Sequence, residues 1–237
     1  MHDESFESFK NIVTQRRSIR VYENTQIPDH TIRACLELAQ LAPNSSNLQT
    51  CQFYWVKDSK IKQKLDAACM DQPAAKTAPT LLVCVGRTKL WKKHAKAMHA
   101  LLKQQNAPAS ALDYYTRLVP FIYTQGPLSI LGILKSFLFF IMGFTRAVPR
   151  EPTSHAGNRL WIAKSAALAC QNLMLALTAA GYDSCPMEGF DEVRVKKALK
   201  LPKDAFVVMI ISAGKKTPQG IYGPRIRFDF NEFVKEI

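Results

Sequence analysis

The most constraining stretch of this chain is residues 158–180, an Ala-rich and largely apolar run that predicts one long helix ended by Gly181. Between Trp161 and Leu177 it carries so little polar surface that the helix must be covered on most of its sides. Other layers of structure have to supply that cover, and the rest of the chain offers them in short pieces. Phe6, Phe9, Ile12 and Val13 recur at helical spacing. With Asp29 as its N-cap, a second helix is expected over 31–42, placing Ile32, Cys35, Leu36 and Ala39 on one face and stopping at Pro43. Residues 61–69 and 192–199 have helical spacing too, and Pro73 and Pro79 mark a loop between elements. Short β-favouring runs stand at 51–56, 80–85, 182–187 and 206–212. Pro and Gly dominate 217–224, so the tail from 225 to 237 is expected to be an arm reaching away from the core.

At 237 residues this reads as a single domain over 1–237, with a hydrophobic helical insert at about 105–155. Within the insert, residues 128–144 are nearly continuous hydrocarbon interrupted by Lys135. A lid or interface helix pair is the leading reading. Membrane-surface contact through 118–149 is the second, and Lys135 near the middle stands against a true span. The N-terminus lacks the basic and apolar regions of a secretory signal, and no apolar stretch follows Arg16-Arg17, so a cytoplasmic protein, at most peripheral to a membrane, is expected. The six cysteines have no metal-ligand spacing and read as reduced thiols. His94 and His99 read as solvent-facing, and no pair of histidines is marked as metal ligands by spacing. The formal net charge of +13 favours anionic partners without choosing among them.

Four clusters carry chemistry. Arg16, Arg17, Ser18 and Arg20 place three guanidinium forks and a hydroxyl at a helix exit, a set suited to phosphate oxygens. Pro43, Asn44, Ser45, Asn47 and Gln49 form a string of amide and hydroxyl groups able to hydrogen-bond a heterocycle or a polyol, and equally an ordinary turn. Pro186, Met187, Glu188 and Gly189 follow a strand, with a glycine that lets backbone approach a flat ligand closely. Arg225 and Arg227 project to one side if the arm is extended. Each cluster taken alone also fits a turn or a solvated charge run.

In this order, and between these elements, the four clusters resemble the nitroreductase family of FMN-dependent oxidoreductases. The resemblance covers residues 10–86 and 158–228. It implies that Arg16, Arg17, Ser18 and Arg20 hold the FMN phosphate and ribityl chain, with Arg225 and Arg227 on the same phosphate. The family's Pro-Ser-Ser-x-Asn-x-Gln loop, here Pro43, Asn44, Ser45, Asn47 and Gln49, would reach FMN from a partner subunit. Asn44 replaces the commoner serine, and Thr50-Cys51 stands where many members have Pro-Trp. The stretch from Pro186 to Gly189 matches the backbone site beside flavin N5. The implied fold is α+β, a three-layer sandwich whose central, mostly antiparallel sheet is flanked by helices. A homodimer with a swapped C-terminal arm and the long helix at the twofold interface goes with it. The implied activity is hydride transfer from NADH or NADPH through flavin N5 to a small-molecule acceptor that is electron-poor: a nitroaromatic, a quinone or an enone. No catalytic side chain is nominated, because the cofactor supplies the reactivity.

Other sites fail on spacing. Met209 occupies the position a phosphate-binding loop ending in Gly214-Lys215-Lys216-Thr217 would need as glycine, and there is no Gly-x-Gly-x-x-Gly. The alternative function is a basic peripheral membrane-associated or nucleic-acid binding module without redox turnover. Few aromatics interleave the basic residues, so no nucleic acid is expected as partner.

Overall fold

The computed structural model describes residues 2–237. Four strands, β1 (Cys51–Val56), β2 (Thr80–Arg87), β3 (Asp183–Met187) and β4 (Ala205–Gly214), form one sheet in the order β1-β2-β4-β3, antiparallel at every pair. Strand β2 lies inside and is covered on both faces. On one, Leu81, Val83 and Val85 pack with Leu65 of α3 (Ser59–Ala68) and Val195 of α10 (Glu192–Ala198). On the other, Leu82 and Cys84 meet Ile32 and Cys35 of α2 (Asp29–Gln40) and Cys170, Leu173 and Leu177 of α9 (His155–Ala179). Period-two alternation along one strand therefore creates a three-layer α/β/α sandwich. Each large aliphatic side chain buried here contributes about 1.5–3 kcal/mol.

The predicted elements are present, with shifted ends. The expected 80–85 strand continues to Arg87, where a Cβ at Gly86 would lie 2.4 Å from the Phe206 ring, so only glycine lets β2 approach Phe206 this closely. The long helix begins at His155 rather than 158, because Ser154 caps it by accepting from the Gly157 N–H at 2.9 Å, and Gly181 at φ +77° ends it. Asp29 is not the N-cap of α2. Pro28 is, and Asp29 in the first turn pairs with Lys57. Pro73 opens a short helix, α4 (Pro73–Lys76), instead of marking a loop.

Helix α9 is covered on one side only within the chain, since Leu160 and Leu168 remain exposed. The N-terminal helix α1 (His2–Gln15) likewise leaves Phe6 and Phe9 exposed. Residues 225–237 are exposed apart from a half-buried Val234, with one short helix, α11 (Phe230–Phe233), as the arm reading implied.

Between β2 and α9 run α5 (Leu90–Gln104), α6 (Ala109–Asp113), a wide turn at Tyr114–Leu118, α7 (Val119–Tyr123) and α8 (Ile130–Met142). The stretch 109–123 meets 127–142 at a bend of 83°. Lys135 of α8 is buried, and its ammonium donates to the carbonyls of Phe121, Ile122 and Thr124 at 3.0, 3.0 and 2.9 Å, closing the open end of α7.

Asp204, at the start of β4, receives Arg87 Nε and Nη2 at 3.1 and 3.2 Å and the Lys89 N–H at 3.3 Å, which ties the ends of β2 and β4 together. Burial pushes the Asp204 carboxyl up, but the Arg87 fork and the Lys89 N–H outweigh it and hold the group below the ordinary carboxylate range. A depressed carboxyl stabilises the fold above its unfolded pKa and loses that contribution as pH falls through the folded value. Asp204→Asn should therefore cost about 1–3 kcal/mol at neutral pH. Urea denaturation of both proteins from neutral pH downward should show the gap closing in acid.

Candidate cofactor site

Helix α1 ends where the Arg16 N–H donates to the Ile12 carbonyl at 3.1 Å, and the chain then runs extended beside β3. Ser18 pairs with Ser184 as a parallel bridge, the Ile19 N–H donates to the Ser184 carbonyl at 3.1 Å, and the Arg20 N–H to the Gly220 carbonyl at 2.8 Å. Ile19 is fully buried in the core, whereas its neighbours Ser18 and Arg20 line a cleft. Alternation about one anchored isoleucine thus aims the polar members of the motif outward.

Two regions separated by some two hundred residues meet there. Arg17 Nη2 donates to the Gly223 carbonyl at 2.5 Å, and Arg225 Nη2 to the carbonyls of Thr14 and Arg16 at 2.7 and 2.6 Å. Arg16, Arg17, Ser18, Arg20, Arg225 and Arg227 line one cavity of about 250 Å³ whose wall, among the described residues, contains no carboxylate. Burial, followed by the positive charge of Arg225 and Arg227, holds the Arg16 guanidinium below its usual pKa. The cavity is a concentration of like charge without an internal counter-ion, a setting suited to an anion.

Strand β3 leads from Ser184, beside this cluster, to Pro186 and Met187 and on to Glu188 and Gly189. Five residues of extended chain span at most about 16 Å. The Met187 side chain is buried in the core, so Met187 offers a ligand only backbone, whereas Glu188 and Gly189 are exposed. Gln72, just ahead of α4, donates its amide to the Gly189 carbonyl at 2.7 Å. Sequence reasoning missed Gln72, since an isolated glutamine before a proline belongs to no motif.

The 43–49 loop is held elsewhere. Asn44 Oδ1 accepts the Gln49 N–H at 2.8 Å, and the Ser45 N–H donates to Ser165 Oγ of α9 at 3.3 Å. Ser46 Oγ lies 2.7 Å from the Tyr114 hydroxyl, and the Tyr115 hydroxyl donates to the Ser46 carbonyl at 3.0 Å. His94 Nδ1 bonds the Leu48 carbonyl at 2.6 Å, while Leu48 itself is buried. This corrects the solvent-facing reading of His94 and His99, both half-buried: the 43–49 loop folds onto His94, and His99 lines a cavity with Tyr115 and Pro120, neither of which helical spacing discloses. Ser46, Asn47 and Gln49 all sit at positive φ, between 47° and 55°. Strain of that kind persists only where the surroundings fix the backbone. Pro43 edges a shallow outer groove together with Asn44, Asn47 and Gln49. Asn44 and Gln49 also line a cavity of about 390 Å³ with Cys51, His94 and Ser165. That cavity shares no lining residue with the arginine cleft. The chain therefore unites the clusters at 16–20 and 225–227, continues them along β3 to 189, and leaves the 43–49 loop apart.

The nitroreductase family model matches residues 13–215. The chain belongs to the nitroreductase family. It is 28% identical over 210 residues to Protein DrgA of Synechocystis, covering 86% of this chain and 82% of that protein. It is 25% identical over 218 residues to the NADH dehydrogenase of Thermus thermophilus, at 92% and 91% coverage. Among solved structures, ydfN of Bacillus subtilis superposes with a TM-score of 0.77 at 25% identity, over 98% of this chain and 100% of that one. A protein of Exiguobacterium sibiricum crystallised in complex with FMN gives 0.71 at 26% identity, over 97% of each chain.

Arg225 both adds charge to the cleft of this family member and closes the end of α1. Arg225→Ala should weaken binding of inorganic pyrophosphate, followed by calorimetry, by about tenfold. Arg225→Lys should recover only part of it, because an ammonium cannot reproduce the guanidinium fork. Equal binding by all three proteins would show that the cleft does not hold the anion.

Proposed function

We propose that this nitroreductase-family enzyme is an FMN-dependent oxidoreductase, working as a homodimer in the cytoplasm. In this reading it carries hydride from NADH or NADPH to a small electron-poor acceptor such as a nitroaromatic, a quinone or an enone. The observation that carries it is the convergence of Arg16, Arg17, Arg20, Arg225 and Arg227 on one cavity without a carboxylate, continuous along β3 with the exposed backbone at Gly189. Such a cavity fits a dianionic phosphate at one end of an elongated ligand, and the strand edge fits the flat remainder.

On this reading Arg16, Arg17, Ser18, Arg20, Arg225 and Arg227 hold the phosphate and ribityl chain. Pro186, Met187, Glu188 and Gly189 present backbone to the ring near its N5, with Gln72 fixing Gly189 from behind. FMN, when bound, supplies the hydride-accepting and hydride-donating centre, so no side-chain acid or base is required. The protein's part is to bind the ring, to keep positive charge near it and to leave one face open.

Pro43, Asn44, Ser45, Asn47 and Gln49 complete the reading through symmetry. They are held rigidly but lie apart from the arginine cleft of their own chain, and the exposed apolar faces of α1 and α9 are suited to burial between two copies. A twofold pairing would let each loop reach the partner's cofactor.

Two measurements test this. Purified protein should carry the yellow flavin absorption, and anaerobic NADH or NADPH should bleach it. A flavin that neither donor bleaches would indicate a carrier without turnover, and a chain that takes up no FMN would end the reading. The second test mixes two defective chains, Arg17→Ala/Arg20→Ala and Asn44→Ala/Asn47→Ala, by co-expression. A dimer sharing its sites in this way regains about one quarter of wild-type FMN content, since half the dimers are mixed and each of those has one intact site. Sites built within one chain would regain nothing.

A further inference from the structure

Helix α8 presents an extended unpartnered apolar surface. Ten of the seventeen residues from 128 to 144 are Leu, Ile or Phe at 44% exposure or more, among them Leu128, Ile133, Leu134, Phe137, Phe140 and Phe144. At 3.6 residues per turn the exposed apolar positions of α8 cover an arc of about 180°. Gly132, Lys135 and Phe139 occupy the opposite, buried side. In the sequence Lys135 stands against a true span and leaves contact with a membrane surface open. The structure turns the Lys135 ammonium inward onto three carbonyls, so the exposed arc carries no charge.

The charges around this arc are predominantly basic: of the carboxylates that bracket it, Asp113 pairs with Arg117 and Glu151 accepts the Thr153 N–H. Residues 114–150 contain no Asp or Glu, while Arg146 and Arg150 follow α8 directly. At the other end of α8, His155 donates its N–H to Ser129 Oγ at 3.2 Å, and its Nε2 lies 3.0 Å from the Gly126 carbonyl. Gly126 and His155 belong to the wall of a cleft of about 420 Å³ that also holds Lys89, Lys92, Arg159 and Lys203. The one carboxylate lining it, Asp204, is engaged by Arg87.

We propose that α8 lies in the interface of an anionic lipid bilayer. Its apolar arc enters the boundary between headgroups and acyl chains, and the basic cleft at one end and Arg146 at the other meet lipid phosphates. At 13 residues α8 is about 20 Å long, short of the ~30 Å hydrocarbon core, so it lies on the membrane rather than crossing it. Burial against a second α8 is disfavoured by the same charges, since a twofold pairing sets basic ends against basic ends while Glu151 is already engaged by the Thr153 N–H. An anionic surface satisfies both the apolar arc and its rim.

The test is flotation of the full-length protein with vesicles of phosphatidylcholine containing about 30% phosphatidylglycerol, and with phosphatidylcholine alone. Wild type should float with the anionic vesicles, less at about 0.5 M salt. Ile133→Asp/Phe137→Asp should float at least about tenfold less while its thermal melt stays unchanged. Lys89→Glu/Lys203→Glu should lose the preference for anionic over neutral vesicles. If the aspartate pair lowers the melting temperature, Ile133→Ser/Phe137→Ser carries the same comparison. Wild type that floats with neither vesicle, or an α8 variant that floats like wild type, would overturn the proposal. So would an α8 variant that only shrinks the oligomer on size exclusion. FMN content read on the same fractions is independent, so a colourless protein that floats leaves this inference standing.

Discussion

Strand β2 is the constraint from which the rest of the architecture follows. With side chains covered on both faces from Thr80 to Gly86, it needs a layer above and a layer below, and it has strand partners on both edges. That requirement puts α3 and α10 on one side and α2 and α9 on the other. Beyond β4, β3 forms an outer edge of the sheet, where a further segment can lie beside it. The segment that does so is 18–20, and its docking through Ile19 carries the arginines of the site to the sheet edge.

Charge in this molecule is organised by carbonyls as much as by carboxylates. Arg17 and Arg225 are oriented by the backbone oxygens of Gly223, Thr14 and Arg16, and Lys135 by three carbonyls at the end of α7. A carbonyl fixes a cation's position while leaving its full charge in place, whereas a carboxylate would cancel it. The arginine cleft therefore keeps its field for a ligand. The Arg87–Asp204 pair, a neutralised clamp between strand ends, shows the contrasting use of the same chemistry.

The surfaces left bare have different characters. The exposed sides of α1 and α9 and the C-terminal arm are mixtures of apolar and polar residues, whereas the exposed arc of α8 is almost pure hydrocarbon with a basic rim. Composition of the uncovered face, rather than its size alone, separates a surface suited to another protein from one suited to lipid.

Much of this was legible in the sequence. Short β-favouring runs marked all four strands, the Ala-rich run with Gly181 behind it marked α9, and motif order marked the family, because local composition and turn chemistry are written in neighbouring residues. The order β1-β2-β4-β3 was not legible, nor was the meeting of Arg17 with Gly223, since both are pairings across large sequence separations. Gln72 behind Gly189, His94 beneath the 43–49 loop and the inward turn of Lys135 were decided by tertiary structure alone. Which carbonyl a polar side chain finds depends on how whole layers pack, and no spacing along the chain encodes that.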